Sequence, residues 1–191
     1  HYGMGDKMAC ILAESLKNLP FLSSINICDN NLTDEGIGPL LHSIMEIPSL
    51  IALDISMNTL GPVAANALST YLSGELSPCP LIRLTLQRAD VDDFECERFV
   101  NALHKNSTLK DLDLSHNLLG GAETLNTVMP DVVTGGEALA ALLLDKACEI
   151  ETLKVAWNSL RLEGAVELMS SLAHNSNITY LDCSYNALSN S

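Results

Sequence analysis

Cations and aromatic side chains are scarce in this chain, and each scarcity narrows what it can do. Ten Lys and Arg stand against 24 Asp and Glu in 191 residues, for a formal net charge of −14. Nucleic-acid binding depends on cations that neutralise phosphates, so no nucleic-acid partner is expected. Another protein, with a basic or neutral surface, suits the charge better. No run approaches the roughly 18 apolar residues that a membrane span requires, and the opening HYGMGDKMAC has neither the basic segment nor the apolar core of a signal peptide. A soluble protein in the cytoplasm, without a membrane partner, is the expectation. The six cysteines (Cys10, Cys28, Cys79, Cys96, Cys148 and Cys183) include no CxxC pair, which is poor spacing for a zinc site or a disulfide framework. Reduced thiols are expected. Against this, the triplets at Asn31, Asn106 and Asn177 match a glycosylation signal, although Asn-rich turns produce such triplets by chance. Nucleotide-loop, HExxH and GxSxG motifs are missing, and the five histidines fall at unrelated places. No catalytic residue, no metal and no cofactor is therefore expected, and the chain reads as a non-enzyme.

What is present is a frame. On the pattern LxxLxLxxNxL the chain aligns six times, starting at Leu22, Leu50, Leu81, Leu109, Ile150 and Ile178, with steps of 28, 31, 28, 41 and 28 residues. Self-similarity at such a period marks a solenoid. Within each copy the fourth and sixth places are apolar and alternate with polar residues, the period of a half-buried strand. A helix at 3.6-residue spacing follows: Ile37, Leu40, Leu41 and Ile44 after one strand, Cys96, Phe99, Val100 and Leu103 after another, Ala165, Leu168, Met169 and Leu172 after a third. Ala9, Leu12, Ala13 and Leu16 form the same set before the first strand. Parallel strands joined by crossover helices wind right-handedly, and helices are wider than strands, so the stack curves. The expected fold is an α/β right-handed solenoid, a horseshoe with a concave parallel β-sheet and convex helices. Residues 1–191 form a single array of about six repeats plus a partial one at the start. The chain opens inside a repeat and stops just after a strand, as a fragment of a longer protein would.

The ninth-place asparagines Asn30, Asn58, Asn117, Asn158 and Asn186 have a structural job. The chain leaves the strand there, and an amide side chain can both donate to and accept from backbone groups that lose their ladder partners. Ala89 breaks the series, Glu95 stands where other units have Gly36 or Gly164, and two segments run long, SGELSPCP and GGAETLNTVMPDVVTGG.

These residues, and LKVAWNSLRLEGAVELMSSLAHNSNITYLDCSYNAL above all, resemble the ribonuclease-inhibitor type of leucine-rich repeat over nearly the whole chain. The likeness extends to intracellular leucine-rich-repeat proteins, axonemal members among them, and to the repeat arrays of NOD-like receptors. It implies a scaffold or regulator that binds protein through the concave face and the adjoining loop rim, with cytoskeletal or ciliary association as one implied setting. It leaves open a regulator of GTPases like the Ran GTPase-activating protein, and the ligand-sensing array of a NOD-like receptor.

Third-, fifth- and seventh-place side chains should point out of the concave sheet. Candidates for binding there are Asp54, Arg83, Asp111, Asp113, Lys154, Tyr180 and Asp182, an acidic face broken by two cations. At the eighth place, His116, Trp157 and Tyr185 should line one rim, since equivalent residues lie about one strand spacing apart. Trp157 is the single tryptophan, a residue type that dominates interface hot spots. The longest insertion follows Leu119 at the same edge, and its Val128, Met129, Val132 and Val133 are candidate contact residues between glycine hinges.

Overall fold

The computed structural model describes residues 3–123 and 132–188. Strands of three residues alternate with helices of 10 to 12: α1 Gly5–Leu16, β1 Ser24–Asn26, α2 Asp34–Ile44, β2 Ala52–Asp54, α3 Pro62–Ser73, β3 Arg83–Thr85, α4 Asp93–Leu103, β4 Asp111–Asp113, α5 Gly135–Leu144, β5 Thr152–Lys154, α6 Leu162–Leu172 and β6 Tyr180–Asp182. All six strands lie in one parallel sheet in chain order. The register matches the repeat frame: Leu53 pairs with Leu84, Leu84 with Leu112, Leu112 with Leu153 and Leu153 with Leu181. The chain is the expected α/β leucine-rich-repeat solenoid.

The core is a continuous aliphatic seam between sheet and helices. Fourth- and sixth-place residues such as Leu84, Leu86, Leu112 and Leu114 are fully buried, as are Cys96, Phe99 and Val100 of α4. In the last unit the seam opens, and Met169, Leu172 and Leu181 are only partly buried.

The asparagine ladder behaves as its chemistry requires. Asn117 accepts from the N–H groups of Ala89 and Val91 in the preceding turn, at 2.9 and 3.1 Å, and donates to the carbonyls of Leu86, 2.8 Å, and Leu114, 3.0 Å. Asn58, Asn158 and Asn186 bridge their turns in the same way. At Ala89 the backbone substitutes: the Leu60 N–H, which would meet the missing amide, donates to the Ala89 carbonyl at 2.9 Å. The orphan is therefore satisfied without a water or a replacement side chain.

A second ladder, of acids, runs along the helix N-termini, where backbone N–H groups lack partners. Asp6 accepts from Thr33 N–H at 2.8 Å, Asp34 from Val63 and Ala64 N–H, and Glu123 from Glu163 N–H at 2.7 Å. At Gly36 an added Cβ would lie 2.5 Å from the Asp6 carboxylate. Glycine is thus needed where a neighbour's acid reaches over. The residue before α4 in the stack is Pro62, which offers no acid, so Asp92 and Glu95 close a capping box within α4 itself.

The longest insertion is anchored rather than hinged at its described ends. Asp93, buried, accepts from the N–H groups of Gly120, 2.6 Å, Ala122, 2.8 Å, and Gly135, 2.7 Å. An added Cβ on Gly136 would lie 2.6 Å from the Gly164 carbonyl. These glycines permit close approach, which replaces the expectation of hinges. Val132 is half-buried and Val133 exposed, while Val128 and Met129 lie outside the described residues. The shorter excess, SGELSPCP, is taken up by Gly74 in the left-handed conformation and by a bond from the Ser77 hydroxyl to the Met45 carbonyl at 2.9 Å.

Two of the three glycosylation triplets are engaged elsewhere. The Asn106 amide, buried, donates to the Leu72 carbonyl, and the Asn177 amide donates to Cys148.

Candidate functional site

The sequence places ten candidate residues on one side of the array, and the structure divides them into three rows. Among the third-place residues, Arg83 and Asp111 sit opposite each other on β3 and β4, Nε to Oδ2 3.0 Å. Tyr180, on β6, is exposed beside Thr152. It begins the strand β6, whereas Tyr185 lies in the left-handed turn beyond the strand's end.

In the fifth-place row the carboxylates have local work. Asp54, Asp113 and Asp182 each accept the N–H of the residue two places on, Ser56, Ser115 and Ser184, at 3.0, 3.0 and 3.1 Å. Such Asx turns end the strand. The second oxygen of Asp54 takes the Asn26 amide at 3.1 Å, and that of Asp113 faces Lys154 Nζ at 3.4 Å. Asp182 is held below the usual carboxylate range first by the Ser184 hydroxyl, then by the Ser184 N–H and by Lys154. The face is acidic as expected, but both cations that break it are paired across strands. Of the seventh-place residues, Ser56, Ser115 and Ala156 are buried beneath the turn, while Cys28 and Gln87 are half-buried and Ser184 is exposed.

The eighth-place row holds what the sequence does not reveal. Asp29, Met57, Arg88, His116, Trp157 and Tyr185 all have positive φ, from 51 to 58°. A non-glycine residue in this left-handed region costs roughly 1–2 kcal/mol. Bonds from the neighbouring repeat hold it: the N–H of His116 donates to Ala156 at 2.7 Å, and that of Trp157 to Ser184 at 2.9 Å. The side chain is thereby turned outward. His116, Trp157 and Tyr185 form a stack, with ring centroids 5.4 Å apart at 8° between the first two and 4.0 Å apart at 13° between the second two. Trp157 remains 50 % exposed and Tyr185 68 %. Further back along the same edge, Asp29, Met57, Arg88 and Asp90 line a shallow 260 Å³ cavity in which the Thr59 hydroxyl meets Asp90 at 3.0 Å.

The fifth-place turns could have been read from the sequence, because Asn or Asp stands two places before a small residue at Cys28, Ser56, Ser115 and Ser184. The left-handed row carries only two such signals, Asp29 and His116, since Met, Arg, Trp and Tyr do not favour that conformation.

Among the described residues no group of His, Cys, Asp and Glu is arranged to hold a metal, and no helix is long and apolar enough to cross a membrane. The six thiols are unpaired with one another. Burial raises the Cys79, Cys96 and Cys148 thiols, and Cys28 is raised by burial and then by Asp54 and Asp29.

A family model for the leucine-rich repeat matches residues 18–41 and 105–122. The ribonuclease inhibitor of Sus scrofa is 27 % identical over 87 % of this chain and 34 % of its own length. That of Mus musculus is 24 % identical over 98 % of this chain and 38 % of its own length. The NACHT, LRR and PYD domains-containing protein 14 of Homo sapiens is 27 % identical over 97 % of this chain and 16 % of its own length. The chain spans no more than about two fifths of any of these relatives.

Proposed function

We propose that this chain, whose repeats are similar to those of ribonuclease inhibitors, binds another protein through the rim formed by His116, Trp157 and Tyr185 together with the adjoining concave face. One observation carries this reading: three aromatic rings are stacked along one rim, with Trp157 and Tyr185 exposed. Trp and Tyr with Asp182 and Lys154 beside them make a surface of apolar rings set against paired charge, the composition of a hot spot with a polar rim. A partner of basic or neutral surface fits the chain's charge of −14. The role is that of a non-enzymatic scaffold or regulator, in the cytoplasm. A ribonuclease is the first partner to test, because two relatives are named as ribonuclease inhibitors.

The single tryptophan makes the test direct. Titration with a ribonuclease should change Trp157 emission and suppress RNA cleavage, and Tyr185→Ala should weaken both at least tenfold. If ribonuclease does not bind, capture of partners from a cell extract by the unaltered chain is compared with Trp157→Ala/Tyr185→Ala. Identical partner sets would overturn the rim as the binding site. The similarity to a NACHT, LRR and PYD domains-containing protein supports a second reading, the sensing array of a larger receptor, in which the same rim would meet the ligand.

A further inference from the structure

The convex side carries a groove that the rim hypothesis does not use. It lies between α5 and α6, encloses about 390 Å³, and is bounded by positions 137, 140, 141 and 144 on one helix, by 167, 170 and 171 on the other and by His174 in the turn that follows it. Each set is an i, i+3, i+4, i+7 row, so two straight ridges face each other. Small residues make the space: Ala140 and Ser171 form a buried floor, while Ala141 and Ser170 form low walls. At the C-terminal end Leu144 is 55 % exposed, apolar surface that no described part of the chain covers.

The other end is strongly acidic. Glu137 and Glu167 line the groove. Burial, and then Glu137, Glu163 and Glu123 in turn, hold the Glu167 carboxyl above its ordinary range. Among the described residues none of these four carboxylates has a Lys, Arg or His within ion-pair distance. Residues 124–131, which follow Glu123, contain no Lys, Arg or His that could supply one. The paired acids of the concave sheet make the contrast: there each cation is matched, and here Glu137, which caps its own helix through the Thr134 N–H, and Glu167 line the trough with Glu163 and Glu123 nearby and, among the described residues, no Lys or Arg paired to them.

We propose that this groove is a second docking site, and that its occupant is an amphipathic helix of a partner protein whose apolar ridge is flanked by Lys or Arg. The geometry selects a helix. Neighbouring helices lie about 8–10 Å apart, and seven residues of helix advance roughly 10 Å. The trough therefore accepts two or three side chains at i and i+3 or i+4 spacing, the helix-in-groove mode of recognition. The charge selects the flanks: a cation beside the ridge would meet Glu137 and Glu167 while its apolar neighbours cover Ala141 and Leu144.

The probe is a labelled 18-residue synthetic helix of Leu, Ala and Lys, with leucines at i, i+3, i+4 and i+7 and lysines beside them, titrated into the unaltered chain by fluorescence anisotropy. Binding is expected to weaken at least tenfold in Ala141→Trp, which fills the trough, and several-fold in Glu137→Gln/Glu167→Gln. It should also weaken tenfold when Glu replaces Lys in the peptide, or when Ser replaces Leu. Trp157→Ala should bind the peptide as the unaltered chain does. Amide shifts mapped on the unaltered chain by nuclear magnetic resonance keep the question open to refutation should Ala141→Trp not fold. Shifts confined to residues 137–144 and 163–174 support the site. Shifts centred on the concave sheet or rim, equal binding of the leucine-free peptide, or binding indifferent to the two glutamine substitutions in the folded chain would overturn it.

Discussion

The two halves of the eighth-place row share a backbone and differ in everything else. In the first half Asp29, Met57 and Arg88 have φ of 56, 55 and 51°, and in the second His116, Trp157 and Tyr185 have 58, 55 and 54°. The same bond recurs in both, from Met57 to Gln87 at 2.8 Å as from Trp157 to Ser184 at 2.9 Å. Yet the first half surrounds a shallow polar cavity and the second presents a ring stack. The array imposes the turn whatever residue occupies it. Side-chain identity on the rim is therefore released from the needs of folding, and this is what lets one scaffold carry different surfaces along its length.

The harshest way to break the comparison is to remove the scaffold beneath the ring stack. Leu153 is buried at the centre of β5, and Leu153→Asp would place an unpaired charge in a core shared with both neighbouring repeats. We expect a loss above about 4 kcal/mol, with circular dichroism and Trp157 emission lost together. A native melt in this variant would contradict the shared core.

Asn117→Ala cuts the bridge between the halves. It strands the N–H groups of Ala89 and Val91 and the carbonyls of Leu86 and Leu114 in a buried turn. A buried group left unpaired costs about 1–3 kcal/mol, so a destabilisation near 3 kcal/mol is expected in urea melts. A cost below about 1 kcal/mol would mean that the backbone rearranges there as it does around Ala89.

How much of this was legible beforehand follows from what each feature depends on. The strands, helices, ninth-place asparagines and rim placement of Trp157 follow from a frame repeated six times, and repetition turns a weak local signal into a strong one. The exceptions needed three dimensions. Ala89 is tolerated because its own carbonyl meets Leu60 N–H, which depends on where the neighbouring turn lies. Asp93 is explained by its reach across 27 and 42 residues to Gly120 and Gly135. The pairing of Arg83 with Asp111 and of Lys154 with Asp113 was implicit in the register but was not read from it, so the concave face looked more open to a charged partner than its geometry makes it.

Glycine substitution sharpens the comparison. At Met57, which lacks a stacking partner, Met57→Gly should relieve the left-handed strain and stabilise the fold by up to about 1 kcal/mol. At Trp157 the same relief is set against two stacked contacts, each worth roughly 0.5–1.5 kcal/mol, so Trp157→Gly should be neutral or destabilising. Equal gains in the two variants, measured by thermal denaturation, would show that the rings in the stack contribute nothing to stability and would leave binding as their only role.

The smallest expected effect lies at the junction of the halves, in the capping box of α4. Burial first, and then the Asp92 carboxylate, push Glu95 up to about 7, while the hydrogen bonds of the capping box hold Asp92 below its ordinary value. The sign follows from the direction of the Glu95 shift. A carboxyl whose folded value exceeds its unfolded one binds more protons in the native state, so its contribution is fully present below about pH 4 and is lost as the pH rises through 7. The unaltered chain should therefore melt at progressively lower temperature between pH 5 and 8 relative to Glu95→Gln, which cannot ionise and keeps a side chain able to meet both Asp92 and the Asp92 N–H. At pH 5 the two should be nearly equal, and at pH 8 the glutamine variant should be the more stable by a few degrees. Every other side chain is the same in the two proteins, so the difference between the melts isolates Glu95. A difference that stays flat across the range, or that grows toward acid, would mean that Glu95 is ionised in the folded chain near neutrality and that α4 is capped by a charge pair held apart by solvent instead of by a shared proton.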